Sequence, residues 1–402
     1  MRALVLAFIL FSTAFLKAQD YSVMLQGFNW YSAQTGGWWN TVASKAGEIS
    51  SAGFNIVWLP PSQDSLSDEG YLPRQLYLQD SKYGTASQLK GAISALHSAG
   101  VYVLADIVIN HRVGRRDWAD FSNPDWGLDA CAADDEYSGC VGASDSGRRY
   151  EAARDIDHSK KYVREDIKRW LLWLKTLGYD GWRYDYARGF APSYLREYDE
   201  ATAPVFSVAE IWDDIDIGNP DSHRQALCDW MDLAGKRIKV FDFTTKGLLQ
   251  QAVLRSEYWR LKDRSSNPAG LIGWWPANSV TFIENHDTES RQGSGHKGWP
   301  FPKDRIAEGY AYILTHPGIP CVFWTHYFDS GLKSTISRMM KLRKDNRLNS
   351  LSSVSIMAAT DRLYAAVIDG RVAVKLGSAS WNPGSGWQRE IEGPTYAIWT
   401  KK

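Results

Sequence analysis

The feature that most constrains this chain is a repeated alternation. Short apolar runs, each of strand length, are separated by amphipathic stretches of helical length. The runs fall at 23–28, 55–59, 101–109, 181–186, 206–211, 240–243, 280–283 and 320–324. Helical periodicity fills the gaps at, among others, 38–51, 87–99, 161–176, 222–233, 303–314 and 332–342. Strands that alternate with helices pair in parallel, because each connection crosses back over the sheet. Eight such units predict an α/β fold, a closed (β/α)8 TIM barrel. The alternative is an open doubly wound sheet. That fold carries a Gly-rich phosphate loop after its first strand, and none follows 23–28.

Two segments break the alternation. After the third strand a stretch of roughly 50 residues, rich in Asp, Gly, Ser and Asn, precedes the next helix, which predicts an inserted loop subdomain. After residue 346 the helical period stops. Short alternating segments at 362–368, 371–376 and 396–399, with Gly, Ser and Pro between them, predict a small antiparallel β-domain. The expected organisation is a barrel over 19–109 and 157–345, interrupted by a subdomain over 110–156 and followed by a β-domain over 346–402.

Residues 1–18 read as a secretory signal: Arg2, an apolar core from Leu4 to Leu16, then Ala18 before polar Gln19 and Asp20. Leu16 is larger than a signal-peptidase site prefers, so an uncleaved anchor is the competing reading. The expectation is a secreted protein, extracellular or periplasmic, with no membrane attachment once the signal is removed. Export permits disulfides. Four cysteines allow three pairings. Cys131 and Cys140, close together in the loop-rich insertion, are the favoured pair. Cys228, in a helical pattern, and Cys321, in a strand pattern, read as thiols that behave as small hydrophobes.

Lys+Arg and Asp+Glu both number 46, a net charge of zero. That balance argues against a nucleic-acid binder driven by overall positive charge. The 19 Trp and 20 Tyr outnumber the 14 Phe. Flat rings with a polar edge suit stacking on sugars, although a Trp-rich core would give the same count.

Barrel enzymes place their chemistry at the carboxyl ends of the strands. The third strand ends in DIVINH, with Asp106, Asn110 and His111; the fourth in GWRYDYARG, with Arg183 and Asp185. The fifth ends in VAEIW, with Glu210, and the seventh in FIENHDT, with Glu284, His286 and Asp287. Any one of these groups alone would serve equally well as a structural cap or ion-pair partner. Asp185 and Glu210, however, lie one βα repeat apart, which places them on adjacent strands about 4.8 Å apart. That spacing accommodates the carboxyl separation of about 5–5.5 Å found in retaining glycosidases. Arg183, two residues before Asp185, faces the same way and favours an ionised Asp185, a nucleophile. Ala209, Ile211 and Trp212 flank Glu210, and an apolar wall favours a protonated acid there. Asp287 and the two histidines are candidates for steadying a sugar ring in the transition state.

These four strand ends resemble the motif regions of the α-amylases of glycoside hydrolase family 13, the plant type above all. QGFNW, SKYGT, DIDH, FDFTTKG, GWWPA and AYILTHPGIPC extend the resemblance over nearly the whole chain, weakening at 112–150 and 346–402. The resemblance implies that Asp185 is the nucleophile, Glu210 the acid/base and Asp287 the transition-state stabiliser. It implies sugar contacts from His111, Arg183 and His286, a stacking Tyr71, and Arg188 and Trp212 on the leaving-group side. Trp274 and Trp275 match a starch-granule surface site. One structural Ca²⁺ is implied, held by Asn110, Asp145, Asp155 and the backbone carbonyls of Arg148 and Gly189. Arg149 stands where a second-site aspartate would be, and RVGRRDW replaces an acidic stretch, so further ions are not expected. Tyr184 and Tyr186 replace phenylalanines, Glu284 replaces an aspartate, and Trp381 is the one candidate for a surface site in the last domain. The implied partner is starch, glycogen or a maltooligosaccharide, with no nucleic acid; the protein itself is expected to be a monomer. An exo-acting or transglycosylating relative is the nearest alternative; a non-catalytic starch-binding protein would have lost the acids that this chain keeps.

Overall fold

A computed structural model describes residues 21–116, 118–137, 139–291 and 298–402; the leader expected at 1–18 lies outside them. Eight parallel strands close into a barrel: β1 Met24–Gln26, β2 Ile56–Trp58, β3 Tyr102–Ile107, β4 Gly181–Tyr184, β5 Ser207–Ala209, β6 Lys239–Phe241, β7 Ser279–Thr281 and β8 Ile319–Phe323. Each is followed by a helix: α1 Trp38–Ala52, α2 Ala86–Ser98, α3 Lys161–Leu177, α4 Pro192–Thr202, α5 Pro220–Leu233, α6 Phe243–Arg255, α7 Ile306–Thr315 and α8 Lys333–Asp345. All but the last of the barrel strands are shorter than the apolar runs that predict them. The runs continue past the ladder into the loops at the carboxyl end, where side chains turn to one another instead of to a neighbouring strand.

Local chemistry starts and stops the helices. Thr85 and Gln88 cap α2 reciprocally: the Gln88 amide donates to the Thr85 hydroxyl, and Gln88 Oε1 accepts from the Thr85 amide at 2.9 Å. α1 ends at Gly53, whose φ of 103° only glycine adopts freely. Pro192 and Pro220 open α4 and α5. α6 has no amphipathic period because it is buried almost all round, with Lys246 and Gln250 among its buried residues.

The insertion leaves the barrel after β3. Its neck is closed where His111–Arg112 pairs antiparallel with Arg154–Asp155, and the Cys131–Cys140 disulfide forms within it. Cys228 and Cys321 are free thiols, on α5 and β8. The last domain is a five-stranded antiparallel sheet: β9 Val354–Ala359, β10 Tyr364–Ile368, β11 Val372–Leu376, β12 Trp387–Glu392 and β13 Tyr396–Lys401, in the order β9-β10-β11-β13-β12. β9 and β12 escape the sequence pattern for different reasons: β9 is apolar at nearly every position and so has no alternation, while β12 is mostly polar and exposed. Trp381 packs edge-on against Trp399 on this sheet.

Buried Glu308 of α7 joins sheet and barrel. It accepts from the Tyr258 hydroxyl (2.6 Å), the Arg305 guanidinium (2.7 Å), the Thr395 hydroxyl (2.7 Å) and the Gly377 amide (2.9 Å). Among the described residues no helix is long and apolar enough to cross a membrane.

Candidate active site

Ladder register assembles the site. Asp106 on β3 lies beside Arg183 on β4, and Tyr184 beside Ala209 on β5, so Asp185 and Glu210 follow one step further along the same two strands. The backbone continues that register: the Glu210 amide donates to the Tyr184 carbonyl and the Asp185 amide to the Ile107 carbonyl, both at 3.0 Å. Arg183 is fully buried at the centre. Its Nη1 donates to Asp185 at 2.6 Å and to Asp106 at 2.9 Å, and its Nη2 lies 2.9 Å from Glu210. Trp58 lies beneath, its ring 4.7 Å from the guanidinium and its Nε1 donating to Asp106 at 3.0 Å.

This arrangement corrects the reasoning about charge. Successive side chains on a strand point to opposite faces, so Ala209 and Ile211 turn away from Glu210. Glu210 meets the Arg183 guanidinium and the Tyr186 amide in place of an apolar wall. Arg183 is not dedicated to Asp185 but shared among three acids. Burial raises the Asp185 carboxyl well above its ordinary range, Glu210 and Asp106 add to the rise, and Arg183 opposes it. Burial likewise pushes Asp106 up to about 6, against Arg183 and the Tyr71 hydroxyl. One guanidinium thus faces three buried carboxyls, and burial raises Asp106 and Asp185 against its pull.

An aromatic wall stands over the acids. Tyr71 donates to Asp106 at 2.9 Å, and its ring stacks on His286 at 5.2 Å and 11°. Trp30 lies nearly parallel to both. His286 Nδ1 faces the Gln26 amide nitrogen at 3.0 Å and therefore accepts, which leaves the proton on Nε2, 3.0 Å from Asp287. Burial keeps His286 neutral. Arg291 donates to Asp287 and to the His286 carbonyl, both at 2.8 Å, while stacking on Trp30. Tyr150 stacks on His111 at 3.9 Å, and its hydroxyl feels Asp185, Asp287 and Glu210.

Other expected site residues lie at varying distances from this cluster. His111 is buried with Nε2 on the Tyr71 carbonyl at 2.8 Å, so it braces Tyr71 and does not offer that nitrogen to a ligand. Arg188 donates to the Trp212 carbonyl and to Asp213, on the side of Glu210 away from Tyr71. Glu284 turns aside to the Phe301 amide at 2.7 Å. Trp274 and Trp275 precede the start of β7, at the opposite end of the barrel from the acids; Trp274 is exposed on one side and covered by Arg224 at 3.7 Å.

Trp30, Tyr150 and Arg291 were not picked out by sequence reasoning. Trp30 and Tyr150 lie in segments far along the chain from the acids they approach. Arg291 is four residues after Asp287, the spacing of an ion pair, but in a segment with no helical pattern to suggest one.

The residues expected to hold a cation also converge. Asn110 Oδ1 and Asp145 Oδ2 are buried with no hydrogen-bond partner among the described residues. Asn110 Nδ2 donates to Asp155 at 3.0 Å. Any side chain at Gly189 would collide with Asn110 Oδ1, a Cβ there falling 1.9 Å from it, so the cradle needs glycine. Asp135 and Glu136, not foreseen, bring carboxylate oxygens within 4.8 Å of one another and of Asp155. Orphaned oxygens beside clustered carboxylates are a donor set for a hard divalent cation. Arg149 pairs with Asp134 at 3.7 Å.

Residues 16–136 match the α-amylase catalytic domain, and residues 345–400 the α-amylase C-terminal β-sheet domain. The Arabidopsis thaliana protein named probable α-amylase 2 is 41% identical over 393 residues, covering 94% of each chain. The chain belongs to the α-amylase family of glycoside hydrolases. Arabidopsis α-amylase 3, chloroplastic, is 42% identical over 400 residues; the chain spans 44% of that longer protein. An α-amylase from Malbranchea cinnamomea shares the fold at a TM-score of 0.70 and 16% identity, covering 95% of this chain and 97% of that one. In this α-amylase-family chain the five-stranded last sheet coincides with the C-terminal β-sheet domain match.

Proposed function

We propose that the chain is a secreted, endo-acting α-amylase that hydrolyses internal α-1,4-glucosidic bonds of starch, glycogen and maltooligosaccharides with retention. The observation that carries this reading is the grip of one guanidinium on Asp185 and Glu210 at neighbouring strand ends, beneath the Tyr71–His286 wall. Two carboxyls held so closely fit the separation of about 5–5.5 Å of retaining enzymes better than the wider gap that inverting ones need for water.

In this reading a glucosyl ring stacks on Tyr71. Glu210, as the general acid, gives a proton to the leaving oxygen while Asp185 attacks the anomeric carbon. Arg183 directs charge to Asp185 through its shortest contact, at 2.6 Å, against the opposing effect of burial. Glu210 then takes a proton from the water that frees the glycosyl-enzyme. Asp287, held by Arg291, faces the positive charge that develops on the ring. Asn110, Asp145, Asp155 and the carbonyls of Arg148 and Gly189 would hold one Ca²⁺, which when bound ties the insertion to the barrel.

The test is hydrolysis of an end-blocked maltooligosaccharide followed by proton NMR of the new anomeric centre. Release of α-configured product, lost in Asp185→Asn and lowered roughly 10²–10⁴-fold in Glu210→Gln, supports the reading. No cleavage of the blocked substrate, with one short product from free chain ends, would establish the exo-acting alternative instead.

A further inference from the structure

Beyond Trp212 the cleft does not stop. A groove of about 470 Å³ begins at Trp212 and Asp213, two and three residues past Glu210, and runs between Ile215 and Trp299 to Gln251 of α6. A second groove of about 300 Å³ starts on the other side of Ile217 and ends against Trp259. Ile217 lines both. Leu248 lines the second groove and Gln251 the first; they are one turn apart on α6 and so share a face of that helix. The two grooves thus adjoin at Ile217 and lead from the residues after Glu210 over the outer face of α6 to the segment that follows that helix.

Trp259 is suited to receive a sugar at the far end. The residue is 45% exposed although large, and Arg260 backs its ring at 4.4 Å. Arg260 also donates to the Ile217 carbonyl and pairs with Glu257 at 2.6 Å. One side chain therefore fixes both the ridge between the grooves and the platform beyond it. Asn219, Asp221 and Lys262 rim the groove with groups that donate to or accept from hydroxyls. An exposed indole among such groups suits a hexose, whose apolar face stacks while its hydroxyls bond at the edge.

We propose that Trp259 is a remote docking platform for the leaving-group end of the same α-glucan chain whose bond is cut at Glu210. The inference rests on the hydrolase reading above and adds a length requirement: only a chain that runs past Ile217 reaches Trp259. The residue binds substrate and takes no part in bond cleavage.

The experiment compares kcat/KM of wild type and Trp259→Ala on amylose and on a short end-blocked maltooligosaccharide. Trp259→Ala should lower kcat/KM on amylose by roughly 3- to 10-fold, the value of one aromatic stacking contact, through KM. The short substrate should be cut at the wild-type rate, and Trp259→Phe should keep most of the amylose activity. Equal losses on both substrates, or no loss on amylose, overturn the proposal. So does weaker binding to starch granules with soluble amylose unaffected, since that describes an isolated surface patch. A wild-type protein that cuts neither substrate overturns the hydrolase reading and this one together; a wild type that cuts both, with no effect of Trp259→Ala on either, overturns this one alone.

Discussion

Replacing Arg183 by methionine tests the electrostatic reasoning most directly. The side chain is fully buried and, among the described residues, is the cation that pairs with all of Asp106, Asp185 and Glu210. Removing one partner of a buried ion pair costs about 3–5 kcal/mol, because the charge left behind is neither solvated nor paired. Carboxyls can escape that cost by taking up protons, so the loss depends on pH. Asp106 in the intact protein already titrates near 6 instead of 3.8, which at about 1.4 kcal/mol per pH unit is a cost on the order of 3 kcal/mol. The sign follows from proton counting. A carboxyl raised in the folded state binds more protons folded than unfolded between the two values, so stability is highest below the ordinary value. It falls as pH rises and is lost in full above the raised value. Arg183 lowers both Asp106 and Asp185, so its removal raises them further and extends that window upward. Urea unfolding followed by tryptophan fluorescence should find Arg183→Met less stable than wild type by about 3–5 kcal/mol at pH 8, and by clearly less at pH 5. Arg183→Lys, which keeps a charge but cannot reach all three acids, should fall between. A loss independent of pH, or one larger in acid, would refute the view that Arg183 offsets the burial of Asp106 and Asp185.

Three further outcomes follow from other contacts. Chelation should lower the unfolding midpoint, by an amount equivalent to about 4 kcal/mol if the ion is present at a thousand times its dissociation constant; Asp145→Asn should abolish the response, and an identical response in that variant would rule out the site. Arg291→Ala should lower kcat roughly 10- to 100-fold with little change in KM, since the charged hydrogen bond to Asp287 would act on the transition state; steady-state kinetics with an unchanged kcat would show that Asp287 needs no such brace. Replacing Cys131 and Cys140 together by serine opens a short loop and should cost about 3 kcal/mol by chain entropy, read from the same urea curves.

The barrel was legible because its signal repeats: eight apolar runs at regular spacing leave few alternatives, and the motif acids fall at the ends of those runs. Cysteine pairing was legible for a similar reason, since Cys131 and Cys140 are near neighbours in a loop while the other two sit in regular elements. α6 was less so, because a helix buried on every side has no polar face to alternate with its apolar one. The charge state of the acids was not legible. Reading Ala209 and Ile211 as the surroundings of Glu210 treats neighbours in sequence as neighbours in space, which a strand forbids. Asp106 and Arg183 come together only through the register of β3 on β4, and Trp30 and Arg291 only through the closing of the barrel. Those are long-range facts that no local window of residues contains.

Glu308 carries a consequence for how this molecule can be divided. Two of its four donors, the Thr395 hydroxyl and the Gly377 amide, come from the last domain. A barrel cut loose at residue 346 would face water with an acid stripped of half its partners, on a flank built to be covered. The sheet is therefore no detachable passenger; the barrel's outer wall is finished only when the carboxyl terminus has wrapped back onto it.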